Sequence, residues 1–352
     1  MQQGVGQEVA MEIRFEAISE TRPGAKWQAL FNRLWPAYRA WYLKDAIDNR
    51  ATYHECSRAL EKHMPEFVPA YEKLCELAGG GDLEARFLSL YKPPPYLSGC
   101  SQAVWPGEPP FLVRNYDYSP DAFDAVALKT AWLGRQVIGM SDCLVGLTDG
   151  MNEDGLVLSL TFGGRRAIGP GFGVPIIMRY VLETCTAAPE ALNALGRIPC
   201  HMSYNVTALD LQGRCGTVYL APDRTPHISS ATVSTNHQQR VEWASHALAT
   251  ASVERERFLL RQLMEHKPSG PELVAGFLKP PLHSTQYRRG FGTLFTSVYT
   301  PQSRHMDLLW PGLHWPLPLE GFADAQRLVR YLMAHDGTTP GHPGGSPTSA
   351  RL

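Results

Sequence analysis

The stretch YLSGCSQAVW, residues 96–105, sets a lone cysteine after a glycine, just beyond three consecutive prolines. A cysteine at the mouth of a strand is either small apolar filling or a nucleophile, and it is the thiolate that attacks. What the chain places beside Cys100 decides between the two. Residues 106–110, PGEPP, are turn formers, and FLVRNYDY beyond them reads as a second strand. With the turn centred near Glu108, antiparallel pairing sets Cys100 opposite Tyr116 or Asp117, and Ala103 near Arg114. Directly opposed side chains sit about 5 Å apart, so the hairpin delivers a carboxylate and a guanidinium near the thiol. Positive charge stabilises a thiolate, and a carboxylate holds an ammonium group. The same spacing also fits an idle surface ion pair between Arg114 and Asp117.

Other routes to chemistry fail on inspection. The seven cysteines (Cys56, Cys75, Cys100, Cys143, Cys185, Cys200 and Cys215) are odd in number and widely spaced. None forms C-x-x-C, which argues against a structural zinc site or a redox dithiol. The twelve histidines make no H-x-x-x-H pair. Neither a catalytic metal nor any cofactor is therefore expected. GPGFG, residues 169–173, lacks the spacing of a dinucleotide loop, and no G-x-S-x-G elbow is present.

The elements that must position Cys100 follow from periodicity. MEIRFEAISE alternates as a first strand. A helix follows, with Trp27, Leu30, Phe31, Leu34, Tyr38 and Trp41 at helical spacing and a kink expected at Pro36. A second helical stretch covers 51–78 and ends in GGG. From Ser98 the period changes to that of strands. SQAVW, FLVRNYDY, AVALKTAWL, QVIGM, LVLSLTF, SYNVTALD, GTVYLA, HISSATVST and TLFTSVYT are expected strands, and helices are expected at 175–183, 189–195, 241–265 and 271–278. Strands in directly adjacent pairs imply largely antiparallel sheets, with helices segregated to their faces.

Composition bounds the class. A 352-residue chain that is 44% hydrophobic has ample material for a core. A net charge of -1 offers no footprint for nucleic acid or an anionic membrane. There is no run of eighteen apolar residues and no basic segment leading into an apolar one at the start, so a cytoplasmic protein with no membrane partner is expected. The Gly/Pro/Ser/Thr-rich tail, 336–352, is expected to be disordered.

SGCS followed by RNYDY resembles the N-terminal-nucleophile hydrolases, and within them the acyl-coenzyme A:6-aminopenicillanic acid acyltransferase group, peptidase family C45. Further stretches agree in order: DGMNEDGLVLSLTF, GVPIIMRYVLETCTAAPEALNALGRIP, SYNVTALDLQG, STNHQQ and GTLFTSVY. The likeness runs from about Gly99 to Tyr299. It implies an α+β protein with the αββα sandwich of two stacked, largely antiparallel sheets. It also implies a pro-chain of 1–99 packing on a catalytic core of 100–335.

The resemblance further implies a cut between Gly99 and Cys100. A glycine there lets the backbone adopt the strained geometry of an N-to-S acyl shift. The freed α-amine, with an ordinary pKa of about 7.7–8.0, then suits a general base. The thiolate forms a thioester with an acyl group, and water or an amine resolves it. By the same resemblance Asn236 donates to the oxyanion, Asp117 holds the α-amine, and Arg114 orients it or the substrate. Tyr118, Thr296 and Ser297 fall near the substrate pocket. Asn205 is a further candidate that equally fits a bond to its local backbone. The substrate is then a small acyl amide or an acyl-CoA-type thioester, and homo-oligomerisation stays open. Two alternatives remain. His237, beside Asn236, could act as base in an unprocessed Cys–His hydrolase or thioesterase, or the pocket could only bind an acylated ligand.

Overall fold

The structure, a computed structural model, describes residues 9–44, 50–121 and 123–333. The tail expected to be disordered lies outside the described residues. In chain order the elements begin with β1 (Val9–Ser19), α1 (Ala25–Tyr42), α2 (Tyr53–His63), α3 (Val68–Leu77) and α4 (Asp82–Leu88). The strands β2 (Gly99–Trp105), β3 (Phe111–Tyr118), β4 (Val126–Thr130), β5 (Val137–Asp142), β6 (Gly146–Asn152) and β7 (Val157–Phe162) follow. Next come α5 (Val174–Thr184), α6 (Ala188–Arg197), β8 (Tyr204–Leu209), β9 (Cys215–Leu220), β10 (His227–Ser229) and β11 (Val233–Ser234). The rest are α7 (Ala244–Ala249), α8 (Ser252–Arg261), α9 (Gly270–Phe277), β12 (Thr285–Gln286), β13 (Phe291–Thr300), β14 (His305–Trp310), β15 (Leu313–Pro318) and β16 (Ala325–Met333).

The strands form two sheets. One has nine strands in the order β10-β9-β8-β7-β6-β5-β4-β1-β16, and the other runs β11-β2-β3-β13-β14-β15, with β12 added on β13. Every pairing is antiparallel except β1 with β4. The sheets stack on a shared core. Phe15, Ile138, Met140, Met151 and Leu209 from one sheet meet Val104, Leu112, Tyr116, Phe295 and Trp310 from the other. On the far side of the nine-stranded sheet, α1 to α6 bury Trp27, Phe31, Leu60, Leu74, Phe87 and Ile177. On the far side of the other sheet, α8 and α9 bury Leu259, Leu273 and Phe277 against Ala103 and Val113. The result is the αββα sandwich. Each large apolar side chain so buried contributes roughly 1.5–3 kcal/mol.

Local chemistry explains most elements. In α1, Trp27, Phe31 and Trp35 stack at i, i+4 spacing with ring centroids 5.3 Å apart. That stripe carries one unbroken helix through Pro36. The stretch 51–78 is not one helix but α2 and α3, divided at Pro65. Gly79 and Gly80, both left-handed, then lead into the unforeseen α4. The stretch 241–265 also divides, at Ala251, whose φ is 48°.

HISSATVST is two strands rather than one. β10 lies at an edge of the nine-stranded sheet and β11 at an edge of the other, so the chain crosses between sheets there. β6 escaped the sequence pattern because its glycine and polar residues read as a turn. Gly139 and Gly150 face each other across β5 and β6, and a Cβ on Gly139 would fall 2.4 Å from the Asp149 carbonyl oxygen. β14 to β16 lie beyond the last expected strand. In β15, Pro316 and Pro318 disguise the strand, yet it is an edge, where a missing N–H is tolerated. The N-terminal β1 sits inside the nine-stranded sheet, between β4 and β16.

Candidate active site at the head of the β2–β3 hairpin

The register of the hairpin sorts the site into two faces. Cys100 pairs with Tyr116, Gly99 with Asp117 and Gln102 with Arg114. Ala103 meets Val113, so the expected approach of Ala103 to Arg114 is corrected by one residue. Side chains alternate along a strand. Cys100, Gln102, Arg114 and Tyr116 therefore point between the sheets, whereas Ser101 and Asp117 point toward α8. The Asp117 carboxylate, expected beside the thiol, lies on the other side of the sheet from it.

On the inner face, Arg114 is fully buried. Its Nε donates to the Leu160 carbonyl at 3.0 Å, and its Nη2 donates to Cys100 Sγ at 3.3 Å. Its Nη1 lies 3.5 Å from Asp149 Oδ2. Asp149 also accepts from Thr148 Oγ1 at 2.9 Å and from Ser297 Oγ. The Ser98 hydroxyl is 3.8 Å from Sγ. Burial pushes the Cys100 thiol above its ordinary range, while Arg114 pulls it back and Asp117 adds a smaller upward push. Burial works against the Arg114 charge, yet the thiolate and Asp149 hold its pKa above the ordinary value.

On the outer face a residue appears that the sequence reading missed. Arg255, from α8, donates through Nη1 to Asp117 Oδ2 at 2.8 Å and through Nη2 to Asn236 Oδ1 at 2.7 Å. Thr293 Oγ1 donates to Asp117 Oδ1 at 2.7 Å. Burial raises the Asp117 pKa and Arg255 opposes it. Asn236 Oδ1 also accepts from the Cys100 backbone N at 2.9 Å. Its Nδ2 donates to the Ser98 and Phe162 carbonyls, both at 3.4 Å. Close packing against Gly164 holds this loop. A Cβ there would fall 2.3 Å from the Asn236 carbonyl oxygen, and φ is +67°. A signal for Arg255 did exist. Ser252, Arg255 and Leu259 are the buried positions of α8, so an arginine stands on the apolar face of its helix.

The remaining candidates divide. Ser297 belongs to the inner cluster through Asp149. Tyr118 lines a cavity with Trp41, Tyr96 and Asp142. Thr296 does not face the thiol. It pairs with Asn115 and donates to Asn115 Oδ1 at 2.7 Å, on the outer face. Asn205 braces the loop, its Nδ2 donating to the Thr235 and His237 carbonyls at 3.1 and 2.9 Å. His237 is turned toward α8, with Nδ1 2.8 Å from Ser252 Oγ and Nε2 3.2 Å from Glu256. Among the described residues no hydrogen bond links it to Cys100, so the geometry does not form a Cys–His pair. Gly99 begins β2 and is not left-handed. What glycine supplies there is room, since a Cβ would lie 3.1 Å from Asp117 Cβ. Among the described residues, no three His, Cys, Asp or Glu side chains are gathered as a metal ion would need. No helix among them is long and apolar enough to cross a membrane.

Two stacked sheets with helices on both outer faces define the architecture of the N-terminal-nucleophile hydrolases. Residues 105–315, more than half of the chain, match the family described as acyl-coenzyme A:6-aminopenicillanic acid acyl-transferase, and the chain belongs to that family. The matched segment begins at Trp105, just downstream of Cys100. Among solved structures the chain is similar to penicillin V acylase from Agrobacterium tumefaciens, at 14% identity and a TM-score of 0.44, covering 65% of this chain and 90% of that one. It is also similar to a mutant of the conjugated bile acid hydrolase from Clostridium perfringens, at 12% identity and a TM-score of 0.45, covering 65% and 96%. A third is the N-acylethanolamine-hydrolyzing acid amidase ortholog of Caenorhabditis elegans, at 15% identity and a TM-score of 0.42, covering 57% and 92%. No curated protein sequence matches the chain.

Proposed function

We propose that this protein is a self-processed cysteine N-terminal-nucleophile hydrolase or acyltransferase. Its substrate is a small molecule with an acyl amide or acyl thioester bond. The observation that carries the proposal is the double hold on Cys100, its Sγ 3.3 Å from Arg114 Nη2 and its backbone N 2.9 Å from Asn236 Oδ1. In the processing step Sγ attacks the Gly99 carbonyl carbon, and the Gly99–Cys100 C–N bond breaks as the nitrogen takes a proton. Water then hydrolyses the thioester, leaving a carboxylate on Gly99 and a free amine on Cys100. That amine inherits the Asn236 Oδ1 hydrogen bond, which fixes its lone pair near the thiol.

In turnover the amine takes the thiol proton and Arg114 supports the thiolate. Sγ adds to the substrate carbonyl, the leaving amine or thiol departs with the proton, and water or an acceptor amine resolves the thioester. The Nδ2 of Asn236, which in the uncut chain donates to the Ser98 and Phe162 carbonyls, is the donor assigned to the developing oxyanion. Asp117 acts one step removed, fixing Arg255, which fixes Asn236. Residues 1–99 stay bound after the cut, because β1 is held on both edges by β4 and β16.

Intact-mass measurement tests this. Freshly purified protein should resolve into one chain ending at Gly99 and one beginning at Cys100, whereas Cys100→Ala stays whole. Wild-type protein that remains intact through long incubation defeats the processing claim. An activated acyl amide should also trap a covalent adduct on Cys100. Failure to acylate, with binding intact, would mark a protein that only binds acylated ligands.

A further inference from the structure

Among the described residues six carboxylates are buried: Asp117, Asp124, Asp142, Asp149, Glu183 and Asp210. Four of them have an arginine within salt-bridge distance: Asp117 with Arg255, Asp149 with Arg114, Glu183 with Arg179 and Asp210 with Arg214. Among the described residues, Asp124 and Asp142 have none. Asp124 is satisfied without a cation, accepting from the hydroxyls of Tyr38 and Ser141 and from the Leu144 backbone N. Asp142 accepts from the Cys143 backbone N at 3.1 Å through Oδ1 and is also bonded by the Cys143 thiol, neither of them a cation. Burial, and after it Asp124, push the Asp142 carboxyl up to about 8. Two buried acids side by side with no base between them repel each other, and a cation placed beside them removes that penalty.

The place for such a cation is open. Asp142 and the exposed Asp121 line a cavity of about 130 Å³, walled by Tyr38, Trp41, Tyr96, Tyr118 and Phe123. Trp41 is flanked edge-on by Tyr38 and Tyr96, with centroids 6.3 and 6.1 Å away. Tyr96 is partly buried, its ring 6.3 Å from that of Tyr204. Aromatic faces around a carboxylate attract cations, since the ring quadrupole and the negative charge act together. Cys100 does not line the cavity; the wall leads toward it through Tyr118 and Tyr116, which share a face of β3. Tyr116, paired with Cys100, has its ring 5.6 Å from that of Tyr118 and lies within electrostatic reach of Asp142, Arg114 and Cys100.

We propose that this cavity holds the acyl group of the substrate and selects a short acyl chain ending in a protonated amine, with Asp142 as its counter-ion and Trp41 as its aromatic face. The volume is close to that of a void that takes one benzene ring, so a long or branched acyl chain is excluded. The inference deepens the amidase or acyltransferase reading and rests on it for the direction of the acyl group toward Cys100.

The test uses processed enzyme and three 4-nitroanilides with acyl groups of equal length: 4-aminobutanoyl, pentanoyl and succinyl. kcat/KM for the 4-aminobutanoyl anilide should exceed the pentanoyl value at least tenfold, and the succinyl anilide should be poorest. In Asp142→Asn the amino-to-alkyl ratio should fall to near one. Trp41→Leu should lower the same ratio by about threefold to tenfold, as loss of a partly desolvated cation–π contact does. Equal rates for amino and alkyl anilides in the wild type, or an unchanged ratio in Asp142→Asn, overturn the proposal while leaving the amidase reading intact. If no anilide is cleaved, calorimetric binding to Cys100→Ala separates the two readings. Selective binding of the 4-aminobutanoyl anilide, lost in Cys100→Ala/Asp142→Asn, upholds the pocket and refutes the hydrolase. Binding without preference refutes the pocket.

Discussion

The two faces of the β2–β3 hairpin carry charged clusters of similar make-up that do different work. The inner cluster, Arg114 with Asp149 and Ser297, aims a guanidinium at the sulfur. The outer cluster, Arg255 with Asp117, Thr293 and Asn236, has no contact with the sulfur and holds the nitrogen of the same residue. One face adjusts the charge around the sulfur of Cys100 and the other the position of its nitrogen. The difference arises from alternation alone, since residues two apart share a face and residues one apart do not. Wholly buried ions are costly unless paired, and the structure pairs each cluster within its own layer.

The comparison can be broken or sharpened by substitution. The largest effect is expected from Arg255→Leu, which leaves Asp117 buried without its partner. It should destabilise the fold by about 3–5 kcal/mol, read by urea unfolding. Adding Asp117→Asn should recover a large part of that. If the two changes simply add, the outer cluster is not the unit described here.

Next comes Arg114→Lys, which keeps the charge and loses the planar fork. On the proposed function, turnover should drop by about 10²–10³-fold, as for loss of one preorganised donor, with little change in melting temperature. A drop of less than threefold would mean that the inner face does not tune the sulfur.

A third test concerns acid. His246 stacks on Trp243 and meets Phe162 edge-on, with both ring nitrogens buried and without a hydrogen-bond partner among the described residues. Burial, helped by Arg255, lowers its pKa to about 4. The unfolded chain takes up the proton near pH 6.5, whereas the folded chain does so only near 4. Stability is therefore full above about 6.5 and falls as the pH drops toward 4, by on the order of 2–3 kcal/mol. His246→Phe should flatten this acid limb in pH-dependent unfolding. An unchanged limb would assign it to the buried carboxylates instead.

The smallest effect is expected from His237→Gln. Its ring bonds Ser252 and Glu256, so turnover should fall by less than about tenfold, below the usual contribution of a general base. A crippling loss would restore the Cys–His alternative.

The hairpin and the cysteine at its head were legible from residue types alone. PGEPP marks the turn, the flanking strands alternate, and a turn of known centre limits the register to two choices. Most strands and the helical faces were legible for the same reason, since periodicity is set within ten or so neighbouring residues. Asn236 was found only through its family-like segment, and Arg255 only through the structure. Its bonds to Asp117 and Asn236 span 138 and 19 residues, and the bond from the Cys100 N to Asn236 spans 136. Contacts at such separation leave no periodic trace. The stacking of the sheets and the docking of α8 create them. Likewise, whether Asp117 would stand beside the thiol or across the sheet from it hung on a single residue of register, and the packed core between the sheets settled it by taking Cys100, Arg114 and Tyr116 on one side.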